Sequence, residues 1–242
     1  MKFIGNLFII IMIYVIPLIT YLKTVKINRN SKLIKTLVAI VYVVTCIILP
    51  EMLTNILPFI LIIFTLINWK NNEQFQGEYE NYKFSLKNFK IGKALKYVGI
   101  TYGLTLMASY ISYCILAILK IPMEQQDVVT MLNSYDLKNF IITIPFTVIF
   151  APVVEEFTFR YILFSKGFRN GTGKKIPFFI SATLVSLVFA GAHFSITAFA
   201  LLFVISFYNC YLVEKKGFCY AVFTHMVING VTTTALLINK MI

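Results

Sequence analysis

The stretch Asn139–Phe164, NFIITIPFTVIFAPVVEEFTFRYILF, decides the fold. It is long enough to cross a hydrocarbon core of about 30 Å, yet it carries Glu155, Glu156 and Arg160 inside it. A charge in the middle of a span costs about 2.5–3.5 kcal/mol on insertion scales, so three cost roughly 9 kcal/mol before any pairing. A sequence that keeps such a cluster needs it for function or for locking helices together. Glu156 and Arg160 are four residues apart in the acid-first order, so they share a helix face and can pair. Glu155 is rotated by about 100° from Glu156 and faces another neighbour. Pro152 removes a main-chain donor one turn earlier and loosens the helix where a polar pocket can open.

Working outward, seven more apolar runs accompany this one, at 3–22, 33–49, 52–68, 94–119, 177–193, 197–213 and 218–239. The 242 residues are 59% hydrophobic and 13% charged, about half the charge of a soluble domain. The expected fold is all-α: a polytopic membrane protein of about eight transmembrane helices, one integral membrane domain over 1–242. Pro50 and Glu51 read as a tight turn between two short spans, the alternative being one long bent helix. The first run follows Lys2 like a signal sequence, but its core is too long and lacks a small-x-small cleavage site, so it reads as a retained span.

Charge tests the parity. The connections at 23–32, 69–93, 165–176 and 214–217, with their flanks, hold 17 of the 22 basic residues. These connections are therefore expected to face the cytoplasm, with both termini outside. The connection at 69–93 mixes Phe84, Leu86, Phe89 and Ile91 with Lys83, Lys87 and Lys90, and reads as an interfacial amphipathic helix or a solvated basic loop. The net charge of +12 does not imply a nucleic-acid partner, since the lysines lie between apolar runs. The expected partners are the lipid bilayer and a peptide or protein substrate. Cys46, Cys114, Cys210 and Cys219 stand singly in or beside apolar runs and read as small core residues. There is no internal repeat.

The chain has two histidines, His193 at the end of the sixth run and His225 one turn into the eighth, four residues before Asn229. An imidazole or amide in lipid needs a polar partner, and one shared pocket would satisfy all these groups at once. A glutamate in a dry pocket can act as a base near neutral pH. A histidine beside it can hold the attacking water, and a second histidine with an asparagine can donate to a developing oxyanion. One glutamate and two histidines can equally hold zinc with water in the fourth place, from Glu155, His193 and His225. The residues leave the two open. No H-E-x-x-H and no Gly-x-Ser occurs, and the only aspartates, Asp127 and Asp136, lie in a connection.

Glu155-Glu156-x-x-x-Arg160, Phe189-x-x-x-His193 and His225-x-x-x-Asn229, in that order over about residues 140–235, resemble the motifs of the CAAX prenyl protease and bacteriocin-processing (CPBP, or Abi) family. The resemblance covers the part at about 139–239, and the spans over 3–119 carry no recognised motif. It implies an intramembrane endopeptidase with Glu155 as base, His193 as its partner on water, and His225 and Asn229 as the oxyanion site. Glu156 and Arg160 would organise the pocket and Phe189 would pack beside His193. The family has been described with both metal-dependent and glutamate-dependent chemistry. Its bacterial members are associated with maturation of peptide pheromones or bacteriocins and with self-immunity. The Lys-, Asn- and Ile-rich composition points to a low-GC bacterium, hence a multi-pass protein of the cytoplasmic membrane. The competing readings are a non-catalytic membrane immunity or scaffold protein and a proton-coupled transporter. The absence of a repeat speaks against the transporter. One feature fits poorly: with upright helices, Glu155 and His225 lie about 15 and 10 Å from the inner face but His193 about 24 Å.

Overall fold

The computed structural model describes residues 7–26, 31–48, 55–169 and 176–242. Among them the apolar helices are α1 (Leu7–Thr24), α2 (Ser31–Ile48), α3 (Ile56–Lys70), α5 (Ile91–Ile118), α7 (Leu137–Arg169), α8 (Phe178–Gly191), α9 (Ile196–Lys215) and α10 (Phe218–Met241). Each coincides with one expected run, and the described residues contain no strand. Five of the eight are long and apolar enough to cross a membrane, while α3 and α8 are shorter. Two short helices, α4 (Glu73–Asn81) and α6 (Asp127–Ser134), lie in connections. The fold is an all-α polytopic membrane protein.

The expected turn at Pro50 and Glu51 lies outside the described residues, but the contacts flanking it decide between two spans and one. The Tyr14 carbonyl accepts from the Tyr42 hydroxyl at 3.0 Å, and the Tyr14 hydroxyl meets Asn55 at 3.3 Å. Ten residues on, Thr24 accepts from the Trp69 indole at 2.8 Å, and the Leu22 carbonyl accepts from the Lys35 ammonium at 2.7 Å. Helices α1 and α3 therefore run parallel, and α2 runs antiparallel to α1. The same end gathers residues of the basic connections at 69–93, 165–176 and 214–217, since Arg169 binds Glu214 and Lys166 binds Glu78. The other end holds Glu124 on Thr197 and Lys240 on Asn133 and Tyr135.

The connection at 69–93 differs from both expected forms. Its helix α4 carries Glu73, Glu78 and Glu80, and it docks on the body. The Glu78 carboxylate accepts from the Tyr161 hydroxyl and pairs with Lys166. Phe84 is buried among Trp69, Tyr82, Tyr161 and Phe218, a packing worth roughly 1.5–3 kcal/mol for one side chain. The alternation of aromatic and basic residues here marks a plug with a wet rim.

Helix α7 is irregular where the charges sit. Pro145 lies inside it, Phe146–Phe150 adopt the wide i→i+5 turn, Ala151–Glu155 return to α, and Glu156–Arg169 are wide again. Prolines remove the donors that would keep the regular ladder, and such widened turns concentrate at functional sites. Helix α7 also runs five residues past the expected end at 164, whereas α8 has only 14 residues. At 1.5 Å per residue α8 measures about 21 Å, too short for the hydrocarbon core. The chain turns back at Gly191–Ser195, through Phe194 at φ 49°. Helix α10 begins recessed, its Phe218 N–H given to the Tyr82 carbonyl beneath the Phe84 plug. These displaced ends remove the depth mismatch expected for His193.

Candidate active site

Glu155, Phe189, His193, His225 and Asn229 line one cavity of about 350 Å³ between α1, α7, α8, α9 and α10. Helix α6 closes one side through Val128, Val129 and Leu132, and Ile9 and Ile13 of α1 close another. The dispersed polar residues of three spans thus face a common space.

The adjacent glutamates have different surroundings. Glu156 is fully buried, its Oε1 accepting from Asn209 Nδ2 at 2.9 Å and from His225 Nδ1 at 2.8 Å. Its Oε2 lies 3.3 Å from Arg160 Nε, an ion pair whose alignment falls short of a hydrogen bond. Arg160 is also fully buried, and its guanidinium stacks 4.1 Å above the Phe189 ring. Arginine suits this place because its flat cation lies on an aromatic face while opposing a carboxylate. Glu155 keeps a side-chain exposure of 21% toward the cavity. One carboxylate is pinned and the other is open to water.

Partner chemistry sets the histidine tautomers. His193 Nδ1 lies 2.8 Å from the Phe189 carbonyl, which can only accept, so this nitrogen carries the proton and Nε2 of the neutral ring is the free acceptor. His225 Nδ1 likewise donates to Glu156, and its Nε2 lies 3.7 Å from Glu155 Oε2, within ion-pair distance but long for a hydrogen bond. Phe189 packs at 4.8 Å from His193 and 6.2 Å from His225, ring centre to ring centre.

Asn229 is placed by the irregularity of α7. In the wide turn the Ala151 N–H goes to Phe146, and the next donor in that register belongs to Pro152, which has none. The Thr147 carbonyl is left over and accepts from Asn229 Nδ2 at 3.0 Å. A primary amide has two N–H groups, so one remains for a ligand.

Asn209 and Asn55 are among the polar groups that the sequence did not single out. Asn209 is fully buried on α9 against Glu156. Its signal was present, since an amide within an apolar run needs a polar partner. Asn55 lines the cavity beside Tyr14, and its place next to the expected turn gave no sign of that.

Among the described residues, no three His, Cys, Asp or Glu side chains are grouped so as to hold a metal ion. Glu155, His193 and His225 share the cavity without forming a ready three-ligand set.

The fold and this site define a class: a multi-span membrane protein with a carboxylate, two imidazoles and an amide around an intramembrane cavity. Residues 137–231 match the family model described as type II CAAX prenyl endopeptidase Rce1-like, in agreement with the CPBP resemblance. That match supports an intramembrane endopeptidase in general terms. No curated protein matches the chain, and no solved structure does.

Proposed function

We propose that this protein is a multi-pass intramembrane endopeptidase of the bacterial cytoplasmic membrane, with its basic connections inside and both termini outside, that hydrolyses a peptide bond in a membrane-associated peptide or protein. The observation that carries the proposal is the shared cavity of Glu155, His193, His225 and Asn229. Glu155, open to the cavity, takes a proton from a water that the free Nε2 of His193 orients. The water attacks the scissile carbonyl. The developing oxyanion accepts from the spare N–H of Asn229 and from Nε2 of His225. With Nδ1 committed to Glu156, Nε2 of His225 donates to the oxyanion from the doubly protonated ring. Glu155 then returns its proton to the leaving amine, so no covalent intermediate is needed. A short peptide precursor of the pheromone or bacteriocin kind is the proposed substrate class.

The test is cleavage of a co-expressed membrane peptide precursor by wild type, Glu155→Ala and His193→Ala, with membrane insertion checked separately. Both variants should insert normally and lose cleavage by at least about 100-fold, the lower range for a lost general base. Equal cleavage by all three would leave a scaffold or immunity role. Chelation of the purified wild type separates the chemistries: retained activity fits the carboxylate route, and loss restored by added zinc assigns the water to a metal.

A further inference from the structure

At the basic end, away from the cavity, a second cleft of about 340 Å³ lies between the start of α5, the end of α9 and the start of α10. Lys83, Lys93, Lys215 and Lys216 line it together with Ser85 and Asn88, and among the described residues no carboxylate does. Among the described residues Lys83, Lys93 and Lys216 form no ion pair, and Lys215 stands 3.8 Å from a Glu214 carboxylate already held by Arg169 at 2.9 and 3.0 Å.

These lysines come from two connections more than 120 residues apart in sequence, and a specific backbone junction joins them. Phe218 N–H binds the Tyr82 carbonyl at 2.9 Å, and the Cys219 thiol lies 3.3 Å from the Lys83 carbonyl. Lys83 and Gly217 both have positive φ, 52° and 115°. A Cβ on Gly217 would lie 2.6 Å from the Lys83 Cβ, so only glycine allows this approach. Tyr220 accepts the Lys90 N–H at 3.1 Å and packs edge-on against Tyr97, over which the Lys216 ammonium stands at 5.9 Å. Among the described residues four lysines thus line one cleft, with Glu214 beside Lys215 as the one carboxylate in ion-pair range, and they present a cationic surface to an anion.

We propose that this cleft binds the phosphate group of an anionic phospholipid. Its level fits, because the apolar runs of α5 and α10 begin beside it. Exposed Leu86, Ile91 and Leu95 next to it offer contact for acyl chains. Lysines near a membrane surface contribute about 1 kcal/mol each toward anionic lipid, about fivefold in affinity per residue.

The experiment uses the full chain in neutral detergent, titrated with phosphatidylglycerol, phosphatidylcholine or inorganic phosphate. Wild type should prefer phosphatidylglycerol. The variant K83Q/K93Q/K216Q should lose roughly two orders of magnitude of that affinity. K23Q/K32Q/K70Q, with the same net charge and its changes elsewhere at the same end, should lose less than threefold. Binding by inorganic phosphate with the same lysine dependence, and none by the lipid, would assign the cleft to a soluble phosphoryl group instead. Equal loss in both variants, or equal binding of phosphatidylcholine, overturns the proposal. Lysine acetylation of the wild type keeps the test open if a variant misfolds: phosphatidylglycerol should protect Lys83, Lys93 and Lys216 but not Lys23, Lys32 and Lys70, and uniform protection refutes the site.

Discussion

Replacing Arg160 by Met tests whether the buried charge pair is built as described. Both side chains are fully buried, and Arg160 Nε stands 3.3 Å from Glu156 Oε2. At an effective dielectric near 20 their attraction is about 5 kcal/mol, offset by the cost of taking both ions out of water. Removing Arg160 alone leaves Glu156 as an uncompensated charge, and such a break costs about 3–5 kcal/mol. Glu156→Gln alone strands Arg160 in the same way, although its amide oxygen can still accept from Asn209 and His225. The double variant carries no stranded charge, so it should recover about 3 kcal/mol relative to the sum of the single losses. The assay is reversible unfolding of purified protein in mixed micelles, followed by circular dichroism and tryptophan emission. Trp69 is the only tryptophan and packs on Phe157 and Tyr161 of the same helix, so its emission reports on α7 directly. Additive losses, within about 0.5 kcal/mol, would mean the two groups do not interact and would refute the arrangement.

Asn229→Ala removes the proposed oxyanion donor and should lower kcat by about 100- to 1000-fold with little change in KM, read in single-turnover cleavage. A loss below threefold would remove the amide from that role. Asn209→Leu takes a hydrogen bond from the charged Glu156, worth about 1.5–3 kcal/mol, so cleavage should fall by roughly 10- to 100-fold through kcat if Asn209 positions the Glu156–His225 pair. Asn209→Gln, which keeps a donor, should restore part of that loss. An effect confined to KM would speak against positioning.

How much of this was legible in the sequence depends on what sets each feature. Length and polarity fix membrane spans, so all eight helices lie where the apolar runs are, and the i,i+4 spacing of Glu156 and Arg160 was enough to foresee their pairing. Helix ends were less legible, because inside a membrane protein an end can be satisfied by protein rather than water. The apolar run continues through 193, yet α8 stops at Gly191 and the chain turns within the bundle. Nothing in residues 177–193 forces that turn, which depends on packing against α9. The docking of α4 was hidden for a related reason: the partner of Glu78 is Tyr161, 83 residues away.

The division of labour between Glu155 and Glu156 follows from the same interplay. A regular helix alone would place neighbouring glutamates on faces about 100° apart and leave open which one meets water. Glu156 is taken up by partners from three directions: Arg160 on its own helix, Asn209 on α9 and His225 on α10. Asn209 and His225 donate to its Oε1 and Arg160 opposes its Oε2 as a cation, so Glu156 is held by the bundle rather than by the cavity. Among the described residues the ion-pair partner of Glu155 is His225, at 3.7 Å, and the cavity lies in front of it. His225 therefore touches both carboxylates through its two nitrogens, and the bond to the fixed one orients the ring toward the open one. The buried trio is in this sense the mould of the site: its charges compensate one another inside the bundle and leave a single unpinned carboxylate facing the space where a peptide and a water would meet.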